Sequence, residues 1–272
     1  MNLPKRNWTD MTWQDIAGAG EATHRWIAVL PLAAVEQHGP HLPLGVDTYI
    51  AEAYLARVQK VLPDDLPVTF LPVERIGVSV EHLAYPGTLT LSPATAIAAW
   101  TEIGESLARS GLRKFVLVTS HGGNVAAMEL VARDLRARFG MLAVTAGWHR
   151  FGYPEGTFSG EERRHGIHAG DVETSLMLAA NANTVRAEKT PNATSATVAM
   201  AREFKWLGAY RPAGFAWMTQ DLNAIGAIGN ATLASTAKGD AALAHGAQEF
   251  VELLREVDRF DLARLKDGPL DQ

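Results

Sequence analysis

Apolar residues in this chain fall into two kinds of run. The first kind is short and unbroken: HRWIAVLPLAAV (24–35), PVTFLPV (67–73), RKFVLVTS (113–120) and MLAVTAGW (141–148). Continuous apolar runs of that length read as strands buried on both faces. The second kind is periodic. Between Thr48 and Leu62 the apolar Ile50, Ala53, Tyr54, Val58 and Val61 share one helical face, and Pro63 supplies the stop. The stretch 92–111 opens on Ser92 as an N-cap with Pro93 at the first helical position, and closes on Gly111. A further helix runs from Asn124, a possible cap, to Gly140. Strand and helix therefore alternate, which predicts parallel βαβ units with a ligand site beyond the carboxyl ends of the strands.

The second half is patterned differently. A loop dense in Glu, Arg and His spans Glu161 to His165, followed by a helix over 168–181 and a Pro/Ala/Thr-rich connection. Then come the Gly-rich LNAIGAIGNATLAS (222–235) and a long terminal helix over 235–260. No repeat, separating linker or low-complexity block interrupts the chain, so a single α/β domain over residues 1–272 is expected.

Composition narrows the function by exclusion. Of 272 residues, 47% are hydrophobic and 20% charged, the profile of a folded globular protein. No apolar run has the length to cross a bilayer, and the N-terminus lacks the apolar region of a secretory signal. The absence of cysteine excludes disulfides, thiolate metal sites and a cysteine nucleophile. A cytoplasmic protein without a membrane partner is expected. The net charge of −5 comes with no basic stripe, so no nucleic-acid partner is expected either. G-x-S-x-G elbows, phosphate loops and dinucleotide fingerprints are all missing.

Three polar clusters stand where a site should be. In PLAAVEQHGPHLPLGVD, Glu36 and His38 are two apart and share one side of an extended segment, while Asp47 arrives at the next helix start. Two carboxylates and an imidazole from one strand-to-helix crossover suit Zn²⁺, Mn²⁺ or Fe²⁺. Asp47 alone reads more simply as a helix cap; the three together favour a metal. In VLVTSHGGN, His121 follows a buried strand. Gly122 and Gly123 let a ligand approach the backbone, near a helix N-terminus that favours negative charge. A tight turn carrying a hydrogen-bonded histidine is the alternative. In HGIHAGDVETS, His168 opens a helix and Glu173 follows inside it; an exposed acid on an amphipathic face is equally consistent. Asp171 reads as a helix-start acid. Glu81 and His82, before a Pro-Gly turn, line a pocket or decorate a loop, and Trp148 walls a pocket or fills core.

Together EQHGPHLPLGVD, SHGGN and HAGDVETS, in this order, resemble the creatininase family of metal-dependent amidohydrolases. EHLAYPGT and IGAIGNATLASTAKG agree, and the resemblance extends from about residue 28 to 240. It implies a three-layer α/β/α fold with a mostly parallel central sheet and two divalent metals per chain, Zn²⁺ foremost, with Mn²⁺ or Fe²⁺ as alternatives. Glu36, Asp47 and His121 would hold one ion; His38, Asp47 and Glu173 the other, with Asp47 bridging. It further implies His168 as the catalytic proton carrier, a small-molecule substrate and a homo-oligomer, commonly a hexamer. Family members acting on creatinine are similar in carrying Tyr-Glu after the SHGGN histidine and a tryptophan four residues before the catalytic histidine. This chain has Gly122-Gly123 and Arg164 there, which points away from creatinine and, through Arg164, toward an anionic group. Trp148 matches a family pocket tryptophan. With His82, these residues form the expected substrate-binding set: Gly122, Gly123, Trp148, His82 and Arg164. The expected reaction is hydrolysis of a C–N bond in a small amide, lactam or formamide. The alternatives are ring-opening hydrolysis of a cyclic, sugar-like ketone and a non-catalytic metal-binding scaffold.

Overall fold

All four apolar runs become strands of one parallel sheet in the computed structural model, which describes residues 3–210 and 212–268. They are β1 (Ile27–Leu32), β2 (Val68–Phe70), β3 (Lys114–Thr119) and β4 (Leu142–Gly147), in the order β2-β1-β3-β4. Ile27 lies opposite both Val68 and Lys114, and Lys114 opposite Leu142. Side chains alternate between the two faces of a strand. Accordingly Ile27, Val29, Val116 and Val118 enter one apolar cluster, and Ala28, Leu30, Leu32, Phe115 and Leu117 the other.

Each cluster is closed by helices. α1 (Trp13–Ala19) precedes the sheet; α2 (Val46–Val61), α3 (Pro93–Arg109) and α4 (Val125–Phe139) alternate with its strands. α3 and α4 cover one face through Trp100, Leu107, Met128, Val131 and Leu135. Ser92 caps α3 by accepting from the Thr95 amide, as its sequence indicated. After β4 come α5 (Gly160–His165), α6 (Asp171–Asn181), α7 (Thr197–Glu203), α8 (Thr219–Leu222) and α9 (Thr236–Arg259). α2, α6 and α9 cover the opposite face through residues such as Tyr54, Leu176 and Phe250. Two short ladders complete the described part: β5 (Asn192–Ala193) with β8 (Gly229–Asn230), and β6 (Leu207–Gly208) with β7 (Ala213–Gly214). The result is the three-layer α/β/α arrangement. Among the described residues no helix is long and apolar enough to cross a membrane. The terminal residues 1–2 and 269–272 of the expected domain lie outside the described residues.

Two local expectations change. The stretch Glu161–His165 is helical rather than a loop, because the Ser159 side chain accepts from the Glu162 amide and caps α5. Val61, assigned to the inner face of α2, is 41% exposed, at the last residue of that helix.

α6 and α9 meet at Gly239, where a Cβ would overlap the Ser175 carbonyl oxygen. Gly239→Ala is therefore expected to cost about 2 kcal/mol by overpacking, despite alanine's better helix propensity. Calorimetry should show a fall of roughly 4–8 °C in Tm; an unchanged Tm would mean the contact yields without strain.

Candidate metal centre

Beyond β1 the backbone stays buried through Ala34, and the Glu36 amide donates to the Leu44 carbonyl at 2.9 Å. Gly39, at a φ of +65° that suits glycine, turns the chain back. His38 Nδ1 is 3.0 Å from the Glu36 carbonyl. A carbonyl only accepts, so Nδ1 carries the proton and Nε2 presents a lone pair. α2 begins at Val46 with Gly45 as its N-cap and no side-chain capping bond. Asp47 is thus not the cap its position suggested. Its carboxylate turns inward instead.

β3 delivers His121, whose Nε2 lies 2.8 Å from the Val78 carbonyl and 3.3 Å from Glu36 Oε2. Asn124 also differs from expectation. Its side chain caps nothing but ties three segments together, accepting from the Val78 amide at 2.9 Å and donating to the Ala33 carbonyl at 3.0 Å. At the entrance to α6, Ala169 holds a left-handed φ of 54°, at a cost on the order of 1 kcal/mol. Its amide donates to Glu173 Oε2 at 2.5 Å. His168 Nε2 donates to the Gln37 carbonyl at 2.7 Å, so Nδ1 faces the centre. Asp171 behaves as a helix-start acid: it is buried and pairs with Lys238 at 2.6 Å.

These side chains converge. Potential ligand atoms of Glu36, Asp47 and His121 lie within 4.8 Å of one another, as do those of His38, Asp47 and Glu173, and those of Glu36, His38 and His168. His38 Nε2 is 3.8 Å from Asp47 Oδ2 and 3.8 Å from Glu173 Oε2. Glu36, His38 and Asp47 are each 1% exposed, whereas the Glu173 side chain retains 23% and opens the centre on one side. Among the described residues, Glu36 Oε2, Asp47 Oδ2 and His38 Nε2 have no hydrogen-bond partner. Buried polar atoms without partners are costly and rare. Each of these three comes from a residue in at least one of the converging sets, whose donors, all oxygen or imidazole nitrogen, fit divalent cations.

The electrostatics agree with that fit. Burial, reinforced by repulsion from Glu36, Glu173 and Glu81, pushes the Asp47 carboxyl well above the usual range. Burial also raises Glu173, although His168 and the Ala169 amide oppose the shift. For Glu36 burial acts upward too, but His121, His82 and His38 win, and its carboxyl falls well below the ordinary value. His121 is lowered by burial yet lifted further by Glu36, Asp47 and Glu81, ending at about 10. His38 moves well below its ordinary value, through burial and then His168. Without cations, the cluster relieves its negative charge only by taking up protons. A bound cation removes the need.

The other expected residues are distributed unevenly. His82 is buried beside Glu36, its Nε2 3.2 Å from Oε1. Gly123 adjoins the centre; a Cβ there would lie 2.6 Å from Glu81 Oε1 and would overlap His121 Nε2. Gly122 is exposed in open space. Trp148 is a core residue: it is 2% exposed, stacked on Tyr54 at 4.4 Å and 4.8 Å from Phe250. A pocket wall needs an accessible face, and this ring's faces are covered. Arg164 stands exposed on α5. The sequence did not reveal Gln37 or Thr219, both of which contact His82. Gln37 carried one signal, a polar residue between two others in a buried segment; Thr219 carried none.

Comparison with known proteins adds the following. A sequence model of the family described as Creatininase, creatinine amidohydrolase, matches residues 9–254. The mycofactocin precursor peptide peptidase of Mycobacterium tuberculosis is 36% identical over 167 residues, 59% of this chain. The match spans 61% of that relative's length. The creatinine amidohydrolase of Pseudomonas putida is 30% identical over 190 residues, 62% of this chain and 70% of its own. A solved structure described as Creatininase Mn superposes with a TM-score of 0.72 at 25% identity, over 93% of this chain and 98% of that one.

Proposed function

The chain belongs to the creatininase family, and from that premise we propose that it is a metal-dependent hydrolase of a C–N bond in a small amide, lactam or formamide. The observation that carries this reading is that the buried, unpartnered Glu36 Oε2, Asp47 Oδ2 and His38 Nε2 belong to residues of three converging ligand sets. Glu36, Asp47 and His121 would hold one divalent cation, and His38, Asp47 and Glu173 a second. When bound, such ions acidify a water molecule and polarise a carbonyl.

The chain's own groups do the rest. His168, anchored through Nε2 on the Gln37 carbonyl, has Nδ1 3.7 Å from Glu36 Oε1 and 3.9 Å from Glu173 Oε2. That nitrogen accepts the proton of the attacking water and returns it to the departing nitrogen of the substrate. Gly122 and Gly123 open the short turn into α4, where backbone amides favour the negative charge that develops on the carbonyl oxygen. The buried Glu36, His38 and Asp47 floor the centre and keep bulk water from its inner side. Two relatives are named for hydrolysis of amide bonds, as an amidohydrolase and a peptidase, which supports the C–N bond as the target.

The test is turnover of a panel of amides, lactams and formamides by protein stripped of metal and reloaded with Zn²⁺ or Mn²⁺. Metal-dependent release of amine, ammonia or formate is expected. Ring-opened acid without nitrogen release would move the activity to cyclic ketones. Metal uptake without turnover of any substrate would favour the scaffold.

A further inference from the structure

The position of a single proton behind Glu36 can be read from hydrogen bonds alone. The Gly39 backbone amide lies 2.9 Å from Gln37 Oε1. A backbone N–H only donates, so this contact fixes which end of the Gln37 carboxamide is oxygen. Gln37 Nε2 then faces His82 Nδ1 at 2.8 Å. The carboxamide nitrogen has hydrogens and no acceptor, so Nδ1 accepts. The Thr219 hydroxyl, 2.9 Å from the same nitrogen and 3.0 Å from the Glu81 carbonyl, can donate to either and needs no proton from His82. An imidazolium would offer no acceptor to Gln37. His82 therefore carries one proton, on Nε2, the nitrogen 3.2 Å from Glu36 Oε1.

We propose that Gln37 and His82 are positioning residues for the metal centre. Gln37 locks His82 as its Nε2–H tautomer, and that N–H faces the Glu36 carboxylate and orients it for a cation. Oε1 has His82 Nε2 3.2 Å away, and Oε2 has His121 Nε2 3.3 Å away. Gln37 acts twice, because its backbone carbonyl also takes the Nε2 proton of His168 at 2.7 Å. One residue thereby sets the tautomer of both histidines, by side chain for His82 and by main chain for His168. Partners of this second tier orient metal ligands, and their loss typically weakens affinity by about 10- to 100-fold.

The proposal rests on Glu36 being a metal ligand, and the experiment separates the two ideas. Long-range ¹⁵N–¹H correlation on the Zn²⁺-loaded full chain, with ¹⁵N-histidine and assignment through His82→Gln, should show His82 neutral and protonated at Nε2. Protonation at Nδ1, or at both nitrogens, overturns the proposal without relying on any variant's folding. Zn²⁺ affinity by chelator competition should fall about 10- to 100-fold in Gln37→Leu and His82→Leu. In His82→Gln, where a carboxamide N–H can replace the imidazole donor, most of that loss should be recovered. Parent-like affinity in both leucine variants overturns the positioning role while leaving the metal centre standing. A parent chain that binds no Zn²⁺ overturns the centre and the proposal with it.

Discussion

Asp47→Ala is expected to empty both cation positions and to lower turnover by about 10³-fold or more. Asp47 belongs to two of the three converging ligand sets, so removing it leaves each of those with two donors. A catalytic metal supplies several kcal/mol of charge stabilisation, and ~4 kcal/mol corresponds to about 10³ in rate. The variant should behave in the opposite way without metal. Burial and the neighbouring Glu36, Glu173 and Glu81 already push the Asp47 carboxyl well above its usual range. Deleting it relieves that crowding, as replacement of poorly compensated buried charges commonly does. The metal-free variant should therefore melt no lower than the metal-free parent, while the metal-loaded parent melts above both. Elemental analysis and calorimetry read all of this. Two ions per chain retained in the variant would remove Asp47 from the ligand set.

His168→Ala is expected to separate chemistry from metal binding. A positioned general acid–base contributes roughly 10²–10⁴-fold, so kcat should fall by that amount while bound metal is unchanged. The geometry makes this a sharp test, because His168 also falls within ligand range of Glu36 and His38. Its Nε2 is committed to the Gln37 carbonyl, leaving a single nitrogen for one duty or the other. Loss of an ion together with activity would make Nδ1 a ligand. Loss of kcat alone would make it the proton carrier.

The layered fold was legible because its strands are predominantly apolar and its helices are punctuated. β1 and β3 are buried along their whole length, and the Ser92-Pro93 start of α3 follows local rules. The two-residue ladders β5 to β8 are too short to carry any pattern, and α5 hinged on one capping serine. In the candidate centre, Glu36, His38 and Asp47 announced themselves by spacing within one crossover. Glu173 could not, since on its own helix it looks like a surface acid. What turns it inward is the Ala169 amide and the approach of His38, more than a hundred residues earlier in the chain. Gln37 was hidden for the same reason: its meaning depends on His82 and on the amide of Gly39. Trp148 shows the reverse, a residue whose place in a family motif suggested a pocket and whose rings of contact are those of core.

The division of helices between the two faces of the sheet has a consequence during synthesis. Domains tend to fold from the N-terminus as the chain leaves the ribosome. The face covered by α3 and α4 has all of its helices once Phe139 has emerged, and its strands are complete at Gly147. The opposite face, with Ile27, Val29, Val116 and Val118, waits for α6 and finally for α9, which ends at Arg259. At about 5–20 residues per second, that face stays only partly covered, by α2, for on the order of ten seconds. A chain stalled before α9 would carry one finished core and one sheet face only partly covered, by α2 and α6. Such a surface invites association, and truncations ahead of Thr236 should accumulate in the insoluble fraction, whereas loss of residues beyond Arg259 should leave the chain soluble.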